Sequence, residues 1–197
     1  MTALIAHSLL HLIVFYAVFI VSFAPEFIGK FFQNPEKGAV GRDRGSYWVI
    51  MFSVGGGIFL AFWFAFNVPT TTIAGHQPVL FWIGIALMLV GMAFRWYAIR
   101  VLGRFFTRSV ATRAGQYVVD TGPYRLIRHP SYSGAMLAMI GLGLAMTNWA
   151  SIALIVSGML IGYSYRVRVE ERALCEGIGP AYREYMRHTR RFIPHVW

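Results

Sequence analysis

Five apolar stretches, at about residues 4–28, 47–68, 78–99, 132–147 and 150–166, leave this chain little choice of fold. Crossing a hydrocarbon layer about 30 Å thick takes roughly 20 mostly apolar residues, which the first three supply. The last two are shorter and only Asn148 and Trp149 separate them, so they read as a tight antiparallel hairpin reaching past the membrane at its other ends. With 57% hydrophobic and 13% charged residues over 197 positions, a soluble domain is excluded. The expected fold class is all-α: a polytopic membrane protein with five transmembrane helices in a single domain. Residues 1–102 form its three-helix membrane part, and 103–197 its connector, helical hairpin and C-terminal helix.

The net charge of +10 raises nucleic acid as a partner, but its distribution argues for topology. All 18 Lys and Arg lie after the first stretch, at or after the end of the third, or after the fifth, and the connectors 69–77 and 148–149 carry none. In a five-span arrangement every basic residue then falls on one side. The positive-inside rule makes that side cytoplasmic, with the N-terminus outside and the C-terminus inside. The basic excess also attracts anionic membrane lipids, and no nucleic-acid partner is expected. The eight acids sit on the same side or at its interface, so charged chemistry is expected there.

Minor features are read as structural. Cys175, the single cysteine, excludes an intramolecular disulfide and any multi-cysteine metal site and serves packing. His7 and His11 lie one turn apart without a third ligand, so they read as interfacial residues and no metal is expected. Residues 4–28 lack the features of a cleaved signal and read as a retained anchor, and Pro194-His195-Val196-Trp197 is no prenylation signal. Ser53 with Gly55, Gly56 and Gly57, and Gly158 with Gly162, suit close helix approach. Gly141-Leu142-Gly143 has no preceding strand and is not a nucleotide loop.

Dense polar chemistry gathers at one end of the hairpin. The run from Gly122 to Gly134, Gly-Pro-Tyr-Arg-Leu-Ile-Arg-His-Pro-Ser-Tyr-Ser-Gly, leads into the fourth stretch, and Arg166-Val167-Arg168-Val169-Glu170-Glu171-Arg172 leaves the fifth at the same end. His129 precedes a proline and is biased to extended backbone, so Pro130 or Ser131 starts a helix whose N–H groups face the cytoplasm. Ser131 is available as its cap, and the helix end suits an anion. The connector 103–128, with its apolar anchors Phe105, Phe106, Tyr117, Val118 and Val119, reads as an ordered cap. Arg166 and Glu170 share a helix face, with Arg168 in reach of Glu171. Gly177-Ile178-Gly179-Pro180 ends that helix, and Pro180 begins another with Tyr182, Tyr185 and Met186 set against Arg183, Arg187 and Arg190. It reads as an interfacial amphipathic helix.

Arg128-His129-Pro130-Ser131-Tyr132-x-Gly134, then a hairpin, then Arg166-x-x-x-Glu170-Glu171-x-x-Leu174 and Gly179-x-x-Tyr182-x-x-Tyr185, resembles the isoprenylcysteine carboxyl methyltransferase family, in particular its compact five-helix prokaryotic members. The resemblance covers roughly residues 100–194. It implies S-adenosylmethionine as cofactor in a cytosol-facing pocket closed by the connector and the C-terminal segment, and a membrane-side opening for the lipid. It assigns Tyr124, Arg128, His129, Pro130, Tyr132, Gly134, Glu170 and Glu171 to cofactor binding. Arg166, on the acceptor carboxylate, and Glu170 are the catalytic pair. The implied reaction is methyl transfer to the carboxylate of a lipidated, isoprenyl cysteine at the cytoplasmic face of a membrane. The alternative is a phospholipid N-methyltransferase of the phosphatidylethanolamine type, or another small lipid or thiol methyltransferase.

Overall fold

The computed structural model describes residues 8–32, 39–41, 43–107, 110–113 and 115–193. His7, Glu36, Lys37, Arg42, Arg108 and the last four residues lie outside the described residues. Six helices follow in order: α1 (Leu9–Phe32), α2 (Ser46–Asn67), α3 (Gln77–Leu102), α4 (Pro130–Ala145), α5 (Trp149–Gly177) and α6 (Pro180–His188). By length and composition α2, α5 and the segment Gln77–Phe105 are able to cross a membrane, whereas Leu9–Pro25 and α4 are shorter apolar helices. The 29 residues of α5 extend about 44 Å at 1.5 Å per residue, more than one hydrocarbon thickness, with the charged residues from Arg166 onward at its C-terminal end.

Two short strands join the helices: Ala39–Gly41 (β1) pairs antiparallel with Ala111–Arg113 (β2), Val40 opposite Thr112. They tie the α1–α2 connector to the α3–α4 connector. Three-residue strands offer no alternating pattern, so the sequence does not announce them.

Glycine sets the helix spacing. A Cβ at Gly91 would lie 2.5 Å from the Ala138 amide nitrogen and 2.6 Å from the Gly134 carbonyl. One at Gly134 would meet the Gly91 carbonyl at 2.6 Å and Arg95 N at 2.7 Å, and one at Gly141 the Gly84 carbonyl at 2.6 Å. Gly84 and Gly91 on α3 thus face Gly141 and Gly134 on antiparallel α4, two turns apart on each helix, so that backbone meets backbone. On α2 and α5 the same device uses Gly57 against the Leu154 carbonyl at 2.8 Å, with Gly158 and Gly162 over Ser53. Gly55 and Gly56 meet nothing within 4 Å. Phe15, Phe81, Met88, Leu142, Met146 and Ile155 fill the core between these pairs.

At the end away from the charged segments, the α4–α5 turn is clamped by polar contacts. Asn148 Oδ1 accepts from Ser151 N at 3.0 Å, its Nδ2 donates to Thr71 Oγ1 at 2.8 Å, and Ser151 Oγ donates to the Ala61 carbonyl at 2.6 Å. The tight hairpin expected at Asn148-Trp149 is present. The His11 ring sits edge-on to Phe81 of α3, centroids 4.8 Å apart.

Candidate functional site

The site begins where α4 begins. His129 is the residue before the helix, at φ −124° and ψ 54°, and its carbonyl accepts from Tyr132 N at 3.0 Å and Ser133 N at 3.1 Å. Pro130 takes the first helical position, where its missing N–H costs nothing. Ser131 therefore sits inside the helix and does not cap it. Its carbonyl instead accepts from Arg95 Nη1 at 3.0 Å, which fastens the start of α4 to the end of α3.

The C-terminal segment returns over this point. Arg128 N donates to the Arg190 carbonyl at 2.7 Å, His129 N to the Arg191 carbonyl at 3.0 Å, and Arg190 N to the Leu126 carbonyl at 3.2 Å. Ser133 Oγ donates to the Phe192 carbonyl at 2.7 Å, and the buried Phe192 ring lies 6.1 Å from His129. Glu171 binds the same segment. It accepts from Arg128 Nε at 2.9 Å and Arg191 Nη2 at 2.8 Å, and His129 Nε2 lies 3.4 Å away. Arg128 also donates to the carbonyls of Met186, at 3.2 Å, and Thr189, which ties down the end of α6. The partners of Glu171 thus come from across the fold, and Arg168 stays exposed.

Helix α6 also departs from expectation. Tyr182 is buried, the Tyr185 hydroxyl donates to the Tyr124 carbonyl at 2.6 Å, and Cys175 Sγ donates to Met186 Sδ at 3.6 Å. Its apolar face is spent on the protein, and the charged face of Arg183, Glu184, Arg187 and His188 is the exposed one. The helix lies as a lid over the cavity with its apolar face turned inward. Burial pushes the phenols of Tyr182 and Tyr185 above their ordinary value, so both stay protonated donors.

Under this lid is a partly open cavity. Phe105, Phe106, Tyr117, Val118 and Val119 of the connector wall one side. Tyr124, Arg128, His129, Tyr132, Arg166 and Glu170 also line it. Among the residues singled out from sequence, Pro130, Gly134 and Glu171 are not in the wall. Pro130 is fully buried, Gly134 is filled by the α3 backbone, and Glu171 stands behind His129 and Arg128.

One chain of polar contacts crosses the wall. Tyr132 Oη donates to Glu170 Oε2 at 2.7 Å and accepts from Arg166 Nε at 3.2 Å. Arg166 Nη1 pairs with Asp43 and donates to Ser46 Oγ at 2.8 Å. Asp43 in turn accepts from Ser46 Oγ at 2.8 Å, Tyr47 N at 3.0 Å and Val110 N at 3.3 Å. Burial tends to raise the Asp43 carboxyl, but these donors and the Arg166 charge outweigh it and hold it below its ordinary value. Sequence reading counted Asp43 and Arg191 only as interface charge. Asp43 precedes Ser46 and an apolar run, a helix-start signal, but nothing local points from it to Arg166. Among the described residues no group of three or more His, Cys, Asp or Glu is placed to hold a metal.

The model of the isoprenylcysteine carboxyl methyltransferase (ICMT) family matches residues 82–176. The protein-S-isoprenylcysteine O-methyltransferase of Saccharomyces cerevisiae is 32% identical over 116 residues, covering 58% of this chain and 48% of that protein. The cobalt-zinc-cadmium resistance protein CzcN of Cupriavidus metallidurans is 29% identical over 116 residues, 58% of this chain and 52% of that protein. The chain thus spans about half the length of these curated relatives. Among solved structures, that of the eukaryotic intramembrane Ras methyltransferase ICMT is similar in fold, with a TM-score of 0.54 and 23% identity over 78% of this chain and 53% of that one.

Proposed function

We propose, from the match of residues 82–176 to the isoprenylcysteine carboxyl methyltransferase family, that this chain is a member of that family and methylates the carboxylate of a lipidated cysteine, with S-adenosylmethionine as donor, at the cytoplasmic face of a membrane. The observation that carries this reading is the cavity in which Tyr132 joins Arg166 to Glu170 beneath α6.

The residues present fit the cofactor. The aromatic side chains Phe105, Phe106, Tyr117, Tyr182 and Tyr185 suit a nucleobase, and the Glu170 carboxylate suits a cationic centre. His129 and Tyr132, at the start of α4, complete that side. When bound, S-adenosylmethionine supplies an activated methyl group on a sulfonium. The chain's own work is alignment and exclusion of water, which can amount to effective concentrations on the order of 10⁵ M. α6 covers the cavity with Tyr182 and Tyr185, and the segment 190–192 backs its wall at Arg128 and His129. Arg166 sets its positive charge beside the acceptor carboxylate, and Leu102, Phe106 and Val110 give the lipid an apolar wall. A carboxylate with a pKa near 4 is already ionised, so no general base is required.

The same reading has all five apolar helices α1 to α5 crossing the membrane, with the basic connectors inside. The second reading, phospholipid N-methylation, draws on Glu170 in the wall, since an amine with a pKa near 10 needs a proton acceptor. The pH profile separates the two. Carboxyl methylation of a prenylcysteine analogue holds a nearly level rate from mildly acidic to neutral pH, whereas N-methylation climbs steeply toward the amine pKa. A steep climb with the prenylcysteine analogue would overturn the first reading.

A further inference from the structure

Arg166 is held from a part of the chain that lies outside the matched segment. Asp43 stands in the α1–α2 connector, 123 residues from Arg166. Its carboxylate is fixed by the hydroxyl of Ser46 and the backbone N–H of Tyr47, both at the start of α2, and by the N–H of Val110, whose side chain lines the cavity. Ser46 closes the arrangement, since its hydroxyl donates to Asp43 and accepts from Arg166 Nη1, each at 2.8 Å. The Arg166 guanidinium therefore meets two fixed partners on two different edges. Nη1 meets the Asp43–Ser46 pair and Nε meets the Tyr132 hydroxyl at 3.2 Å. The arginine side chain is 4% exposed and the Asp43 side chain 23%. A planar fork so gripped has one orientation, and a lone arginine on a flexible stem has many.

We propose that Asp43 is a positioning residue of the acceptor site: it fixes the Arg166 guanidinium in the plane that meets the acceptor carboxylate, making the start of α2 part of the active centre. The proposal rests on the reading of Arg166 as the group that takes that carboxylate. Asp43 reaches the cofactor side only through Arg166 and Tyr132, so its loss bears first on turnover of the acceptor. Arg166 and Asp43 also balance each other in charge, so the acceptor is held by geometry more than by net attraction.

The test is a double-mutant cycle on purified full-length protein, measuring methyl transfer from S-adenosylmethionine to a prenylcysteine analogue and, by calorimetry, cofactor affinity. Asp43→Asn keeps a hydrogen-bond acceptor but removes the charge that anchors Arg166. It is expected to lower kcat on the order of 10- to 100-fold, the usual cost of a lost orienting partner, with cofactor Kd changed less than about twofold. On an Arg166→Lys background the same change should add less than about threefold, because the fork it orients is gone. Ser46→Ala, which leaves the Asp43 charge in place, should show the same split at smaller size, and it keeps the test open if Asp43→Asn folds poorly. Wild-type kcat in Asp43→Asn, or losses that multiply fully across the cycle, overturn the proposal while leaving the functional reading intact. Full activity in Arg166→Lys, or no transfer by the wild type, overturns the reading beneath it.

Discussion

Neutralising Glu171 should open the C-terminal segment without unfolding the helices. Glu171 is 4% exposed and bonded to two guanidinium groups, with the Arg128 side chain 8% and the Arg191 side chain 34% exposed. Glu171→Gln keeps shape and acceptor oxygen but loses charge. A hydrogen bond to a charged group is worth about 1.5–3 kcal/mol against about 1 for a neutral pair, so the change costs on the order of 1 kcal/mol at Arg128. It costs about half that at the more solvated Arg191. Leaving Arg128 buried without its countercharge adds about 1–2 kcal/mol, since its carbonyl partners soften the full penalty of a broken buried pair. The sum, about 3 kcal/mol, is roughly two powers of ten in the opening equilibrium. Hydrogen exchange reports it at three amides, those of Arg128, His129 and Arg190, which bond across the segment. Their protection should fall about a hundredfold while amides in α3 and α4 keep theirs. Protection unchanged within about threefold, or lost evenly throughout the protein, would refute the assignment of Glu171 as the latch.

Three further outcomes follow from the geometry. Gly91→Ala forces a Cβ against the α4 backbone at 2.5 Å and should cost about 1–3 kcal/mol or more, whereas Gly55→Ala meets open space and should leave the detergent melting temperature unchanged or higher; equal losses would contradict the glycine interface. The Asp43 carboxyl sits below its ordinary 3.8, so its contribution to stability is whole above that value and is lost as pH falls through the lowered one. The melting difference between wild type and Asp43→Asn should then be level from pH 5 to 8 and shrink in stronger acid, and a difference that grows in acid would be the wrong sign. A cysteine placed at Arg113 on a Cys175→Ser background should react with an impermeant reagent only after the membrane is opened, and labelling from outside intact cells would sink the proposed orientation.

Much of the helical frame was legible because a membrane span is a local property. The stretches 47–68 and 78–99 became Ser46–Asn67 and Gln77–Leu102, and Pro130 and Pro180 each begin a helix where proline costs least. The polar cluster was legible for the same reason: Arg128, His129 and Tyr132 are near neighbours in sequence, as are Arg166 and Glu170. What escaped was pairing at a distance. Asp43 with Arg166, Arg191 with Glu171, and the bridge between Ile127 and Arg190 leave no periodic trace, because each partner is placed by a different helix. Gly84, Gly91, Gly134 and Gly141 repeat at two-turn intervals, yet their spacing alone does not say which helix each pair faces. Gly134 drew attention through its motif, and its work is to let α4 reach Arg95.

The central claim is methyl transfer to a lipid-anchored carboxylate in this cavity. Its most direct test incubates the purified protein with methyl-labelled S-adenosylmethionine, a prenylcysteine analogue and vesicles containing phosphatidylethanolamine. The account predicts label on the prenylcysteine analogue, released as methanol by alkali as an ester must be, and loss of that label in Arg166→Ala. Base-stable label on phosphatidylethanolamine, with none on the prenylcysteine analogue, would contradict it.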